Sequence, residues 1–140
     1  MSGSFSEYAA EAILAHAVGK TSWSEPTTFV ALCTVVPTSA STGATITEAN
    51  YTGYVRTATS GVWGSATAAT PSVISNSSAI TFPACTGGTS TVVALALVDN
   101  STTGAGNLIG WCTCAATVVS STQTPATIAI GALTLSLTAS

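Results

Sequence analysis

Charge is what this sequence has least of. Charged side chains make up 5% of the 140 residues, against roughly 25% in an ordinary soluble domain. Only Lys20 and Arg56 are basic, so no patch can neutralise several phosphates, and nucleic acid is excluded as a partner. Long apolar runs are missing as well. The longest, such as Val92 to Val98, reach about a third of the roughly 20 residues that span a bilayer, which argues against a membrane role. The opening Met1-Ser2-Gly3-Ser4 has no basic residue and is followed by Glu7 and Glu11. That is unlike a signal peptide, and synthesis in a cytoplasm is expected.

Hydroxyls stand where charges would be. Ser and Thr supply 45 of the 140 residues, while the apolar fraction of 46% is ordinary. Surface charge keeps free proteins apart, so a neutral surface suits permanent contact with other protein and a structural, non-enzymatic role. A chain of this length fits one domain, residues 1–140, and buries about two thirds of its unfolded surface without needing disulfides or metal. Three of the Asn residues, Asn50, Asn76 and Asn100, begin glycosylation-like triplets. With a third of all positions Ser or Thr, chance accounts for them.

Residues 1–20 read as a helical arm and 21–140 as a β-sandwich. Ser4 and Glu7 form a capping box, Phe5, Ala9, Ala12, Ile13 and His16 fall on one stripe, and Gly19 is the expected C-terminal cap. Beyond Lys20, β-branched runs alternate with Gly, Pro, Asn and Ser clusters, the pattern of short antiparallel strands. Strands are expected at Thr27 to Val36, Tyr54 to Thr59, Ala79 to Phe82, Thr91 to Val98, Leu108 to Cys114, Thr127 to Ile130 and Leu133 to Leu137. Leu133, Leu135 and Leu137 alternate with Thr134 and Ser136, giving one buried and one hydroxyl-covered face. Val92 to Val98 is apolar on both faces, which predicts a central strand or one lying under a neighbouring chain. Thr38 to Thr47 reads as a long featureless loop, an arm or a flexible excursion.

Candidate chemistry is sparse. Gly19-Lys20-Thr21 echoes the end of a phosphate-binding loop, but Leu14 stands where the first Gly belongs and the helix precedes the motif instead of following it. His16 is the one available base, with Glu7, Glu11 or Asp99 as conceivable orienting groups for a hydrolase, and no Gly-x-Ser-x-Gly elbow accompanies it. Glu25, Glu48 and Asp99 read as turn residues or solvated termini. Cys112 and Cys114 should face one side of a strand, and Cys33 and Cys85 would have to complete any four-thiolate zinc site. That spacing on an extended strand suits zinc poorly, so buried, unpaired cysteines without metal are expected. Trp23, Trp63 and Trp111 could stack on sugars or anchor an interface, with Trp63 exposed between two glycines and Trp111 in the core. Tyr54 and Arg56 share a strand face that is either solvated or an interface anchor.

Several segments, taken in order, resemble small virion proteins of tailed bacteriophages, the head decoration (cement) or tail-fibre-like proteins. They are the helix and Gly-Lys-Thr break of Ala12 to Thr21, the strand from Pro26 to Thr38, Glu48 with Gly53-Tyr54-Val55-Arg56, and Thr81-Phe82-Pro83-Ala84. Val98-Asp99, Gly106-Asn107-Leu108 with Trp111, and Gly131 to Leu135 complete the series. Relatives often carry charged residues before the last strands, where this chain has Ser120 to Thr124. The resemblance implies a jelly-roll-like antiparallel β-sandwich after a short N-terminal helix, on the outer surface of a phage capsid. There it would cement seams between subunits of the major capsid protein and pair with itself as a dimer or trimer at local symmetry axes. It implies no catalytic residues and no cofactor. Phe5, Tyr8, Tyr54, Arg56 and Trp63 are the expected contact residues. A receptor- or carbohydrate-binding module on a tail fibre or virion surface is the alternative.

Overall fold

A computed structural model describes residues 3–138. The ends of the expected arm and sandwich, residues 1, 2, 139 and 140, lie outside the described residues. The chain is mainly β, with antiparallel sheets and one short N-terminal helix. Its elements are β1 (Ser4–Phe5), α1 (Glu7–Ala17), β2 (Phe29–Cys33), β3 (Thr57–Ala58), β4 (Ser72–Ser75), β5 (Ile80–Thr81), β6 (Thr89–Val98), β7 (Leu108–Ser120), β8 (Thr127–Ile128) and β9 (Thr134–Leu137).

Five strands form one sheet in the order β1-β7-β6-β2-β3, and two further two-stranded sheets pair β4 with β9 and β5 with β8. Every expected strand is present, some shorter and β6 and β7 longer, and β1 and β4 are strands that the sequence reading did not place. The second layer is thus split into two small sheets where a jelly roll would have one continuous sheet.

Strand periodicity explains the layers. On one face of the large sheet Val30, Leu32, Leu95, Leu97 and Cys112 join a core with Ile80, Phe82, Ile128 and Leu133 from the small-sheet side. The opposite face carries Ala31, Cys33, Ala94, Ala96, Val98 and Leu108, a second and thinner core that includes Ile46. Both faces of β6 are therefore buried, and it lies centrally between β7 and β2, as its continuous apolar run predicts.

The helix begins two residues later than the capping box suggests. Ser4 and Phe5 pair antiparallel with Trp111 and Gly110, and this tertiary pairing outweighs the local cap. Ser6 then ends the strand and caps the helix, its hydroxyl accepting from the Ala9 amide at 3.2 Å and donating to the Leu108 carbonyl. At the other end Gly19 takes φ +70°. Its amide reaches His16 O at 3.0 Å, and that of Lys20 reaches Ala15 O at 2.9 Å, the paired bonds of a Schellman cap.

Asn76 joins the end of β4 to the turn before β9. Its side-chain amide donates to Ser78 O and Ala129 O at 2.9 and 2.8 Å and accepts from the Leu133 amide at 2.9 Å. Only 1% of this residue is exposed, so its glycosylation-like triplet offers no free nitrogen to a glycan.

Truncating a residue where the layers meet should cost far more than truncating one at the rim. In denaturant unfolding, Phe82→Ala, which is fully buried, is expected to lose about 3–5 kcal/mol. Leu137→Ala, at a half-exposed position, should stay within about 0.5 kcal/mol. Equal losses would contradict the layered core.

Candidate functional site

The most ordered polar constellation is internal. Arg56 was expected with Tyr54 on an outward strand face, but it is 4% exposed, and Glu48, expected in a solvated turn, lies against it. Arg56 Nη2 meets Glu48 Oε1 at 2.7 Å, with side-chain exposures of 0% and 3%. Nε donates to both carboxylate oxygens at 3.2 Å. Nη1 donates to Asn100 O at 2.7 Å and Ala105 O at 2.8 Å, and Nη2 also donates to Gly43 O at 2.6 Å.

All five guanidinium N–H groups are thus engaged within the chain. Tyr54 completes the node: its hydroxyl donates to Glu48 Oε2 at 2.7 Å and accepts from the Leu32 amide of β2 at 3.1 Å.

Two connections meet here, the long one between β2 and β3 and the turn between β6 and β7. Gly43 belongs to the segment expected to be an arm or a flexible excursion. It presses so closely on Ala105 and Gly106 that a side chain would collide with their backbone. Ile46 from the same segment is buried. The turn between β6 and β7 is closed at its neck by Asp99, whose carboxylate accepts from the Asn107 amide at 2.6 Å and side chain at 2.8 Å. A lone Arg and a carboxylate eight residues away, in a chain with one other basic residue, was the sequence signal for this pairing. Turn propensity concealed it.

The other expected contact residues lie apart from this node. Phe5 and Trp63 are half-buried and pack against the larger core. Trp63 is therefore not the exposed loop residue that its flanking glycines suggest. Tyr8 is 39% exposed and meets Trp23 edge to face at 6.5 Å between ring centres. Trp111 is half-buried against the thinner core. With Tyr54 and Arg56 drawn inward, the five do not form one surface. His16 is exposed, and its Nδ1 accepts from the Trp23 amide at 3.2 Å.

All four cysteines are free thiols. Cys112 and Cys114 do share a face, against the larger core, whereas Cys33 lies on the other side of the sheet. Among the described residues no group of three or more His, Cys, Asp or Glu is placed to hold a metal ion. Burial, with Glu48 nearby adding to it, pushes the Cys33 thiol from 9.0 up to about 12. Burial also raises Cys112 and Cys114 and Tyr51. For Tyr54, burial and then the bond to Glu48 hold the hydroxyl far above its usual range.

The chain is thus an antiparallel β-rich fold whose buried ion pair pins its own loops. Residues 4–136 match the family model described as podophage GP4 fiber I protein gp80, and the chain belongs to that family. It is accordingly a structural protein of a phage virion. No curated protein matches the chain.

Two outcomes follow from the node and the thiols. Arg56→Met leaves Glu48 buried without its counter-charge and three carbonyls without donors, and should cost about 3–5 kcal/mol in denaturant unfolding. Arg56→Lys, with only three donors, should recover only part. A loss under about 1 kcal/mol for Arg56→Met would contradict the pin.

The raised groups mean that the folded chain keeps protons that the unfolded chain releases. Their stabilisation is complete below the ordinary thiol value of 9.0 and is lost as pH climbs through the folded values. The melting temperature should therefore decline above about pH 9, and a rise there would contradict the burial of these groups.

Proposed function

We propose that this chain is a building block of the fibre of a podophage particle, with a structural and not an enzymatic role. The observation that carries the reading is the match of residues 4–136 to a family whose printed description is a fiber protein. Composition supports it: a neutral, hydroxyl-rich surface favours lasting contact with other protein. The node supports it too, because pinned loops present a shape that needs no ordering when neighbours dock.

Head cementing is the second reading, one of the two roles implied by the ordered motifs from Ala12 to Leu135, which resemble decoration or tail-fibre-like virion proteins. In that case the partner is the major capsid protein, and many modest contacts repeated around the shell act together. Neither reading calls for nucleic acid, membrane or cofactor. His16 has no role in either, so His16→Ala should leave infectivity intact.

Gold-labelled electron micrographs of purified particles, together with the copy number per particle, separate the two. Label confined to the tail apparatus in few copies is the expected result. Label spread over the head in hundreds of copies would overturn the fibre reading in favour of cement. Absence from the particle would overturn both.

A further inference from the structure

We propose that the outer edge of β7, from Thr117 to Ser120, is where a second copy of this chain adds its own β7, antiparallel, across a two-fold axis. The inference rests on the reading of the chain as a repeated virion subunit and names the partner and the surface.

The edge is open. On its inner side β7 pairs with β6 from Leu108 to Ser120. On its outer side β1 pairs with Gly110 and Trp111, Ser6 bonds the carbonyls of Leu108 and Ile109, and at the far end the Ser120 carbonyl accepts from the Gln123 amide at 3.2 Å. A strand edge leaves N–H and C=O groups ready to template another strand, and proteins block such edges with lysine, proline, bulges or a covering segment. The stretch from Thr117 to Ser120 has no proline and no charge. From Thr57 to the end of the sequence the only charged residue is Asp99, which is committed to Asn107. One partial device exists: Cys114, Ala115 and Ala116 bulge opposite the single residue Val93. That bulge limits clean pairing to the four residues beyond it.

Beside this edge the sandwich gapes. A groove of about 370 Å³ runs between β7 and β8, with Phe82, Val92, Leu95 and Val119 among its lining residues. Val118, on the same strand, is 48% exposed. An added strand would satisfy the backbone edge and cover apolar groups in one step, as in strand-addition complexes.

The occupant follows from what else is free. The far flank of the large sheet offers no matching edge: β3 is two residues long. Beside it the β2 flank is held by Ala49, whose amide donates to Leu32 O at 2.8 Å, and by Thr47, whose carbonyl accepts from the Thr34 amide at 2.9 Å. A head-to-tail chain of sheets therefore lacks its second half, whereas β7 against β7 is self-complementary. Two neutral edges meet without like-charge repulsion, and an antiparallel pair of identical strands closes on itself.

Sedimentation of the full chain at high micromolar concentration, with amide hydrogen exchange, tests this. The wild type should sediment as a dimer, with the outward-facing amides between Thr117 and Ser120, those that do not bond β6, exchanging at least about tenfold more slowly than in a monomeric variant. Val118→Lys places a charge on an exposed position of the edge and should give a folded monomer with fast exchange there. Thr117→Lys serves as an independent second variant, and the exchange pattern of the wild type needs no variant at all. A monomeric wild type would overturn the proposal, as would folded lysine variants that stay dimeric. Protection of the edge only after mixing with other virion proteins would assign it to a different partner and overturn it too. None of these results moves the fibre reading, which is decided by where label sits on the particle.

Discussion

The Arg56–Glu48 pair is the constraint on which the irregular half of the molecule depends. Taking two charges out of water is expensive and is offset only where geometry is close and every donor is used. Here Nη1 holds the turn between β6 and β7, Nη2 holds the Gly43 loop, and Glu48 carries the link on to Tyr54 and the edge of β2. No lysine could replace this fork, since one ammonium has neither the donors nor the planar spread. The loops are consequently part of the rigid body, although their composition of Ser, Thr, Gly and Ala gives them little apolar surface to bury.

That arrangement clarifies the scarcity of charge. The sequence has two basic residues, and one of them is spent inside. What remains outside is hydroxyl and small apolar surface over most of the chain. Such a surface does little to discourage contact and is easily desolvated, which suits a structural protein of a virion. The same neutrality leaves the β7 edge without the lysine that would ordinarily guard it.

Much of the β framework was legible because alternation is a backbone property. The strands read at Thr27 to Val36, Thr91 to Val98 and Leu133 to Leu137 are present with shifted ends. The expected division of the last into a buried and a hydroxyl-covered face fails at Leu137, which is exposed while Ser136 is half-buried. Residues whose structure is set by distant partners were harder to read. Ser4 reads as a cap because Glu7 follows at the right spacing, yet pairing with Trp111 makes it a strand. Ser72 to Ser75 lies in a tract of Ser, Thr and Ala with no lasting alternation, and it becomes β4 only because β9 is there to receive it. Glu48 and Arg56 looked like surface groups because local pattern cannot count the three carbonyls that two separate loops bring to one guanidinium. The shared face of Cys112 and Cys114 was visible from spacing. The placement of Cys33 on the other side of the sheet required the register.

The central claim is that one buried ion pair orders the loops, and a double-mutant cycle in denaturant unfolding tests it most directly. Arg56→Met and Glu48→Gln each leave a buried partner uncompensated, whereas the double variant removes both charges together. The account predicts a coupling of about 2 kcal/mol or more, the double variant being far less destabilised than the two single losses combined. Single effects that add to within about 0.5 kcal/mol would contradict it and return both residues to the surface role that their sequence neighbourhood suggests.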